Sequence, residues 1–343
     1  MKKSLSLLLI VSLILIFFFG LTNYVFAPEE AAPGADITVS LLVPDSFGDK
    51  SFADSAKSGI EKLKTDYGIK TNYIECKGEN YKQAMSDTSK VSDYVVCVGW
   101  EFWEIESVCN ENFGTNYIWV DNEATQINSN LISLTYAQNE GSYLVGYVAG
   151  KMTETGNVGF VGYKDNDTIN DFLVGFKQGV KKANVDVSVY AEYGEGMDDP
   201  DTGKALTEKL FNEHGVDIVF QAAGGMGEGV FKACKELGIR AIGVDEDQRI
   251  SYPEYADVII CSMEKKVGDS IYNVIKTGID DGFFDGGAVN KGSLADSLVG
   301  VAYGDKKQTS PVSEDIKMDI QGLTEQIISG EIDVNTTMEK EEI

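Results

Sequence analysis

The sequence has 343 residues, of which 55 are acidic and 29 are basic, so its formal net charge is −26. A hydrophobic fraction of 43% and a charged fraction of 24% are typical of a globular protein that is long enough for two domains. The negative charge repels a phosphate backbone at long range, so we expect no nucleic-acid partner. It also argues against an anionic ligand, although one well-placed basic residue can override the global field.

The first feature in chain order is an apolar segment with a basic start. Two lysines precede an apolar core at about 5–21, and the small residues Val25 and Ala27 stand before an acidic stretch. This plan is typical of a secretory signal, with an uncleaved N-terminal anchor as the alternative. We expect residues 1–27 to direct export to the cell surface, the periplasm or the medium, and residues 28–36 to form a linker. No cysteine directly follows the apolar core, so we expect no lipid-modified cysteine anchor.

Short apolar runs then alternate with amphipathic stretches. The stretches at 51–68, 141–154, 171–184 and about 312–330 predict helices. Such alternation predicts an α/β protein of doubly wound units with mostly parallel strands. The runs that predict strands are ITVSLLV (37–43), YVVCVG (94–99), NYIWVD (116–121), LISLTY (131–136), NVGFVG (157–162), DIVFQAA (217–223), RAIGVD (240–245), DVIICSM (257–263) and LVGVAYG (298–304).

These strands are too many for one comfortable sheet, which favours two lobes. Strands run out into polar residues near 136–140 and 262–266 before new helices begin, so the chain is expected to cross between the lobes there. We expect hinges near 137 and 263, with a third near 303. The assigned segments are 37–137 with 264–302 for the first lobe, 138–263 with 303–335 for the second, and 336–343 for a frayed tail.

The loops after the predicted strands hold the candidate ligand groups, because ligands bind at the carboxyl ends of parallel strands. These loops are rich in aromatic residues and carboxylates, include Lys265 and contain no arginine. The loop GGMGEG (224–229) lacks the Gly-Lys-Ser/Thr ending of a Walker loop and is not a clean dinucleotide fingerprint, although Asp245 lies 20 residues beyond Gly225. Aspartates that bind a diol, glycine amides and aromatic faces instead favour a neutral, hydroxylated, planar ligand.

The single histidine and the cysteines indicate neither a metal site nor covalent chemistry. His214 stands at a predicted helix end, where a surface or capping role is expected. Five cysteines are scattered without a Cys-x-x-Cys pair, so we expect buried thiols, with Cys97 paired to Cys76 or Cys109 as the alternative. We therefore expect no zinc site, no cofactor and no histidine-based catalytic triad.

Five segments, in the same order, resemble the basic membrane protein family of ABC-transporter substrate-binding proteins, whose members bind nucleosides. The resemblance covers about 37–335 and implies a type I periplasmic-binding-protein fold, with two doubly wound Rossmann-like lobes, a hinge and an interlobe cleft. It implies an exported monomer without enzymatic activity that captures a nucleoside-like molecule, a purine nucleoside first, for an ABC permease. The segments are DKSFADSAKSGI, SLTYAQNEGSYLVGYVAG, VGFVG followed by GFKQGVKKAN, DIVFQAAGGMGEGVFKACKELGIRAIGVDEDQ, and CSMEKKVGDSIYNVI.

The resemblance also implies roles for individual residues. Phe47 or Trp100 would stack on the base, and Asp121 would hydrogen-bond the base edge. Met197 stands where many members carry an aromatic residue, so a thioether would cover one face of the ring.

The ribose would be held by Gly225 and Asp245 in the same comparison. Lys265 would either join the ribose or neutralise Asp245. Both roles for Lys265 stay open on the sequence alone.

The start of the first long helix carries further candidates. Asp49 and Ser51 would shape it for the ligand, with Asp54 one turn in, and helix capping is the alternative for Asp49 and Ser51. Where the family has Ser-Phe-Asn, this chain has Ser51, Phe52 and Ala53, so one amide that could contact the ligand is missing. Core packing is the alternative expected for Phe52.

Two other classes of function fit part of the pattern. Asp121 and Asp245 could form the acid/base pair of an exported nucleoside-processing hydrolase. The same two-lobed shape could serve a signalling receptor ectodomain, or bind another hydroxylated small molecule.

Overall fold

The computed structural model describes residues 32–78 and 80–337. The expected export segment at 1–27 and most of the expected tail lie outside these residues. Within the two described ranges, no helix is both long enough and apolar enough to cross a membrane.

Strands and helices alternate along the described chain. The strands are β1 (Thr38–Val43), β2 (Lys70–Glu75), β3 (Tyr94–Val98), β4 (Asn116–Val120), β5 (Leu131–Tyr136), β6 (Asn157–Gly162), β7 (Ser188–Tyr193), β8 (Ile218–Ala222), β9 (Arg240–Asp245), β10 (Ile259–Lys265), β11 (Val289–Gly292) and β12 (Val299–Ala302). The helices are α1 (Phe52–Tyr67), α2 (Tyr81–Ser89), α3 (Ile105–Glu111), α4 (Gln138–Met152), α5 (Asp167–Ala183), α6 (Pro200–His214), α7 (Gly227–Leu237), α8 (Gln248–Ser251), α9 (Val267–Asp281) and α10 (Glu314–Ile328).

The strands form two six-stranded sheets of matching topology. The first has the order β11-β5-β4-β3-β1-β2 and is parallel throughout. The second has the order β12-β10-β9-β8-β6-β7 and is parallel except for β12, which runs antiparallel to β10. The molecule is therefore two α/β lobes, as the alternation of strands and helices predicts.

Three strands lie outside the nine apolar runs that the sequence analysis identified. These are β2, β7 and β11, and each is the outermost strand on one side of its sheet. All six residues of β7 are only half-buried, and three of the four residues of β11 are exposed. An edge strand exposes one side to water, so it needs no continuous apolar run.

The chain crosses between the lobes at three places that hydrogen-bond to one another. Ala137 N–H donates to the Gly292 carbonyl at 2.8 Å, and Lys266 N–H donates to the Leu298 carbonyl at 2.8 Å. The third crossing lies between β11 and β12, not near 303 as expected. The segment 264–302 is thus split, because Lys265 and Glu264 extend β10 by pairing with β12 in the second sheet.

The cysteines and the histidine have structural surroundings. All five cysteines lie within the described ranges, where they are buried and form no disulfide. His214 is in the last turn of α6 and stacks on Tyr190 with a ring-centroid distance of 3.9 Å.

Glycines allow the crossing helices to pack closely on the lobe that they enter. A Cβ on Gly179 of α5 would overlap the Tyr143 carbonyl of α4, and one on Gly146 of α4 would overlap the Phe176 carbonyl. Helices α1 and α9 meet in the same way, because a Cβ on Gly59 would overlap the carbonyl of Gly268. Each lobe is therefore covered by a pair of helices in backbone contact.

We predict that Gly179→Ala lowers the free energy of unfolding by about 1–3 kcal/mol, since the added methyl group must push α4 and α5 apart. Gly322→Ala is the matched control, because Gly322 lies in α10 with no atom near its missing Cβ. This change should raise the free energy of unfolding by about 0.5–1 kcal/mol. Urea denaturation of both variants measures the difference, and equal effects would contradict the close packing.

Candidate functional site

A cavity of about 310 Å³ lies between the lobes, at the carboxyl ends of the central strands of both sheets. The loops that follow β1, β3 and β4 line it from the first lobe, and those that follow β6, β8 and β9 line it from the second. The strand order reverses between β1 and β3 in one sheet and between β6 and β8 in the other. Loops diverge at such switch points, which leaves a crevice for a ligand.

Aromatic side chains from both lobes form the walls of the cavity. Phe52 and Trp100 belong to the first lobe, and Tyr163 and Phe172 belong to the second. Trp100 is 45% exposed, and the ammonium of Lys164 lies 4.8 Å above its ring across the mouth of the cleft. These faces can stack on a planar ligand.

Lys265 places a positive charge at the floor of the cavity. The residue is 2% exposed, and its ammonium forms an ion pair with Asp121 of the opposite lobe. It also lies 4.7 Å from the ring centre of Phe52 and 5.2 Å from that of Tyr136. A buried charge needs such partners, because removing an unpaired ammonium from water is costly.

Asp121 and Asp245 occupy corresponding positions in the two lobes. Asp121 directly follows β4, and Asp245 is the last residue of β9. Counted from the edge strand β2, β4 is the fourth strand of the first sheet, and counted from the edge strand β7, β9 is the fourth strand of the second. Both have a φ of 64°, in the left-handed region that aspartate tolerates better than most residues. The turn at this position brings each carboxylate to the cavity.

Asp245 is a buried acceptor at 7% exposure. Burial raises the pKa of Asp245, and the charge of Asp121 acts in the same direction. The charge of Lys265 and a hydrogen bond from the Ser51 hydroxyl lower the pKa of Asp245. The lysine therefore favours the ionised form of Asp245, which is the form that accepts hydrogen bonds from a diol.

Several residues expected at the site lie beside the cavity instead. Phe47 does not line it and packs edge-to-face on Tyr73, with ring centres 5.8 Å apart. Of the two aromatic residues expected to stack, only Trp100 lines the cavity. Phe52, for which core packing was the alternative, also lines it.

Two acidic residues at the start of α1 hydrogen-bond to the nearby backbone. Asp49 accepts hydrogen bonds from the N–H groups of Ser51, Ala53 and Asp54 at 2.9–3.0 Å. Asp54 accepts from the backbone of residues 48 and 50 at 2.9 and 3.0 Å. The capping alternative therefore describes Asp49, whereas Ser51 makes no side-chain cap and bonds to Asp245.

In the glycine loop, the cavity is lined by Gly224 and not by the expected Gly225. Gly224 has a φ of 56°, and a Cβ there would lie 3.3 Å from the Cβ of Met197. Met197 lines the cavity, and its carbonyl accepts a 2.6 Å hydrogen bond from Met226 N–H. The loop and Met197 thus close one side of the cavity together.

Asn122 is a cavity residue that the sequence analysis missed. The residue lines the cavity, and its buried amide nitrogen has no hydrogen-bond partner in the part of the chain that the structure describes. Its position directly after Asp121, at the end of a predicted strand, could have identified Asn122 from the sequence. Tyr163, which directly follows β6, was missed as well. Burial raises the pKa of Tyr163 to about 12, so it stays a neutral hydroxyl.

Comparison with known proteins places the chain in a family. The family model described as "ABC transporter substrate-binding protein PnrA-like" matches residues 37–338. The chain belongs to this family. The resemblance to the basic membrane protein family is confirmed. Members of this family are substrate-binding proteins of ABC transporters, which pass a small molecule to a membrane permease.

Curated relatives and solved structures agree with this membership. The chain is 30% identical to basic membrane protein A of Borreliella afzelii, over 86% of this chain and 90% of that protein. It is 34% identical to basic membrane protein D of Borreliella burgdorferi, over 73% and 74% of the two chains. An ABC-transporter solute-binding protein of Aeropyrum pernix shares the fold of this substrate-binding protein, with a TM-score of 0.78, 24% identity, and 88% and 93% of the chains covered. The predicted type I periplasmic-binding-protein fold is confirmed.

We predict that Asp121→Asn lowers the free energy of unfolding by about 3 kcal/mol, because the buried ammonium of Lys265 loses the carboxylate from the opposite lobe. Asp66→Asn is the control, since Asp66 pairs with Lys62 at 2.7 Å on the surface. That change should have little effect on the free energy of unfolding, because water screens the exposed pair. Chemical denaturation measures both, and a small effect of Asp121→Asn would show that the ion pair does not stabilise the closed lobes.

The buried carboxyl group of Asp49 makes the stability of the fold depend on pH. Burial raises the pKa of Asp49 from 3.8 to about 6 against the lowering effect of its backbone hydrogen bonds. A carboxyl group with a raised pKa stabilises the fold at low pH and loses this contribution as the pH rises through the folded-state pKa. Relative to Asp49→Asn, the wild type should therefore lose on the order of 2 kcal/mol between about pH 4 and pH 7.

Asp66→Asn again supplies the control. The hydrogen bond from Lys62 lowers the pKa of Asp66, so the pH dependence of that difference should have the opposite sign. Unfolding titrations at several pH values decide the matter. A wild-type protein that gains stability over Asp49→Asn as the pH rises would contradict the prediction.

Proposed function

We propose that this protein captures a nucleoside, and preferentially a purine nucleoside, by closing its lobes, and delivers it to an ABC importer. One observation carries the proposal, namely that a single cavity joins aromatic walls to a buried carboxylate and ammonium. A planar ring and a diol are the chemical groups that such walls and such a pair recognise.

The base end of the ligand would lie among the aromatic residues. Phe52, Trp100 and Tyr163 offer faces from both lobes, and Met197 covers the remaining side. The unpartnered amide of Asn122 would read the edge of the base. A cavity of about 310 Å³ is small for a ligand pocket, which supports one compact ligand such as a nucleoside.

The ribose end would lie against Asp245. Its ionised carboxylate can accept a hydrogen bond from each hydroxyl of a cis-diol. The charge of Lys265 favours the ionised form of this carboxylate, and its ammonium offers donors of its own. Both roles that the sequence left open for Lys265 are therefore compatible. Gly224 lets the sugar approach the backbone closely. Asp121 is engaged with Lys265, which favours a supporting role over direct bonding to the base edge.

Capture would proceed by rotation of the lobes about their three crossings. The ligand would touch both lobes, so it would stabilise the closed state by its differential affinity for it. We further propose that the chain is exported by its N-terminal segment, and that it acts as a monomer, which the closed cavity within one chain supports.

The pairing of the two aspartates supports binding rather than glycosidic chemistry. Asp121 is held by Lys265, and Asp245 accepts a hydrogen bond from Ser51. A hydrolase needs one protonated and one ionised carboxyl group free to reach the bond that breaks. These partners engage both carboxyl groups, which supports binding over catalysis.

The proposal is tested with a thermal-shift and calorimetry panel of purine and pyrimidine nucleosides, free bases and sugars. Wild-type protein should bind purine nucleosides most tightly. Asp245→Ala should raise their Kd at least about 100-fold, because two hydrogen bonds to a charged group are worth about 1.5–3 kcal/mol each. Asp257→Ala is the control, since Asp257 pairs with Lys235 on the surface.

Chromatography of the ligand after incubation completes the test. Intact nucleoside, released on denaturation, is expected. Liberated base would favour the hydrolase instead, and an unchanged affinity in Asp245→Ala would remove that residue from the site.

A further inference from the structure

The segment before α1 meets the second lobe beside the cavity. Ser51 is completely buried and does not line the cavity. Its hydroxyl donates to Oδ2 of Asp245, although the two residues belong to different lobes. The same hydroxyl is not used to cap α1. The Ser51 hydroxyl therefore bonds to the opposite lobe and not to its own helix.

We infer that Ser51 is a positioning residue that orients the Asp245 carboxylate for a ligand diol only when the lobes are closed. The inference rests on the proposed function in assigning the diol to Asp245. Ser51 itself would not touch the ligand.

The geometry around Asp245 gives the hydroxyl this role. Among the described residues, Ser51 supplies the one side-chain hydrogen bond to this carboxylate. It engages Oδ2, and Oδ1 has no hydrogen bond to another described residue. The charged groups that act on Asp245 are Lys265, which attracts it, and Asp121 and Glu246, which repel it. A fixed donor is thus the group that can set the rotation of the carboxylate.

Contacts around Ser51 link its position to closure. The preceding carbonyl, of Lys50, accepts a 3.0 Å hydrogen bond from Gln248, which is fully buried in the second lobe. The Lys50 ammonium lies 4.1 Å above the ring of Tyr252, and Tyr252 donates to the Asp49 carbonyl at 3.3 Å. Lobe opening would separate this whole segment from the second lobe. Asp245 would then lose its donor at the same moment.

The test compares a purine ribonucleoside with its 2′,3′-dideoxy analogue on three variants. Ser51→Ala removes the hydroxyl, and Ser51→Cys keeps the volume with only a weak donor. Both should reduce the preference for the ribonucleoside by about tenfold, the value of one hydrogen bond to a charged group. Ser58→Ala is the control, because Ser58 bonds within α1 to the Ser55 carbonyl at 2.7 Å. An unchanged preference in Ser51→Ala, or full recovery in Ser51→Cys, would overturn the inference.

A second measurement is independent of the ligand. The carboxylate ¹³C resonance of Asp245 is titrated in ligand-free wild type and Ser51→Ala. Both proteins are locked closed by a bifunctional thiol cross-link between cysteines introduced at Trp100 and Lys164, whose side chains meet across the mouth of the cleft. Loss of a donor to the ionised form should raise the pKa of Asp245 in the variant, and an equal pKa in both proteins would overturn the inference. If the wild type binds no nucleoside, the proposed function fails, while this titration still decides whether Ser51 acts on Asp245.

Discussion

The buried ammonium of Lys265 is the constraint around which the cleft is organised. Burying an ion costs several kcal/mol unless a counter-charge and hydrogen bonds compensate. The counter-charge in contact with it is Asp121, which stands on the other lobe, whereas Asp245 stands on the lysine's own lobe. The charge is therefore fully compensated only when the lobes are together. Ligand binding and lobe closure consequently depend on the same group of side chains.

The two lobes have the same topology, and this explains why a lysine is required between them. Each sheet ends its fourth strand with an aspartate at a φ of 64°. Two lobes that face each other with this feature bring two carboxylates to one cavity. Like charges this close disfavour ionisation of both groups. A lysine at the end of β10 resolves the conflict, and it leaves Asp245 able to accept hydrogen bonds.

The sequence predicts the central strands, the two lobes and five of the cavity residues, namely Trp100, Asp121, Met197, Asp245 and Lys265. It does not predict the edge strands β2, β7 and β11, whose partly exposed residues lack an apolar run. Whether Phe47 or Phe52 faces the cleft depends on the residue at which α1 begins. A shift of the helix start by one residue would point each side chain in a different direction. Likewise, the sheet that β12 joins is set by its antiparallel pairing with β10, which leaves no trace in the composition of either strand.

Contacts outside the cavity determine how much a ligand must contribute to closure. Moving an equilibrium from 1:99 to 99:1 requires about 5.5 kcal/mol of differential affinity. Hydrogen bonds to a charged group supply about 1.5–3 kcal/mol each, so two or three bonds to Asp245 and Lys265 reach that value. The contacts of Lys50 and Ser51 with the second lobe need no ligand. Each of them lowers the requirement, so the loop before α1 adjusts the affinity for every ligand without touching any.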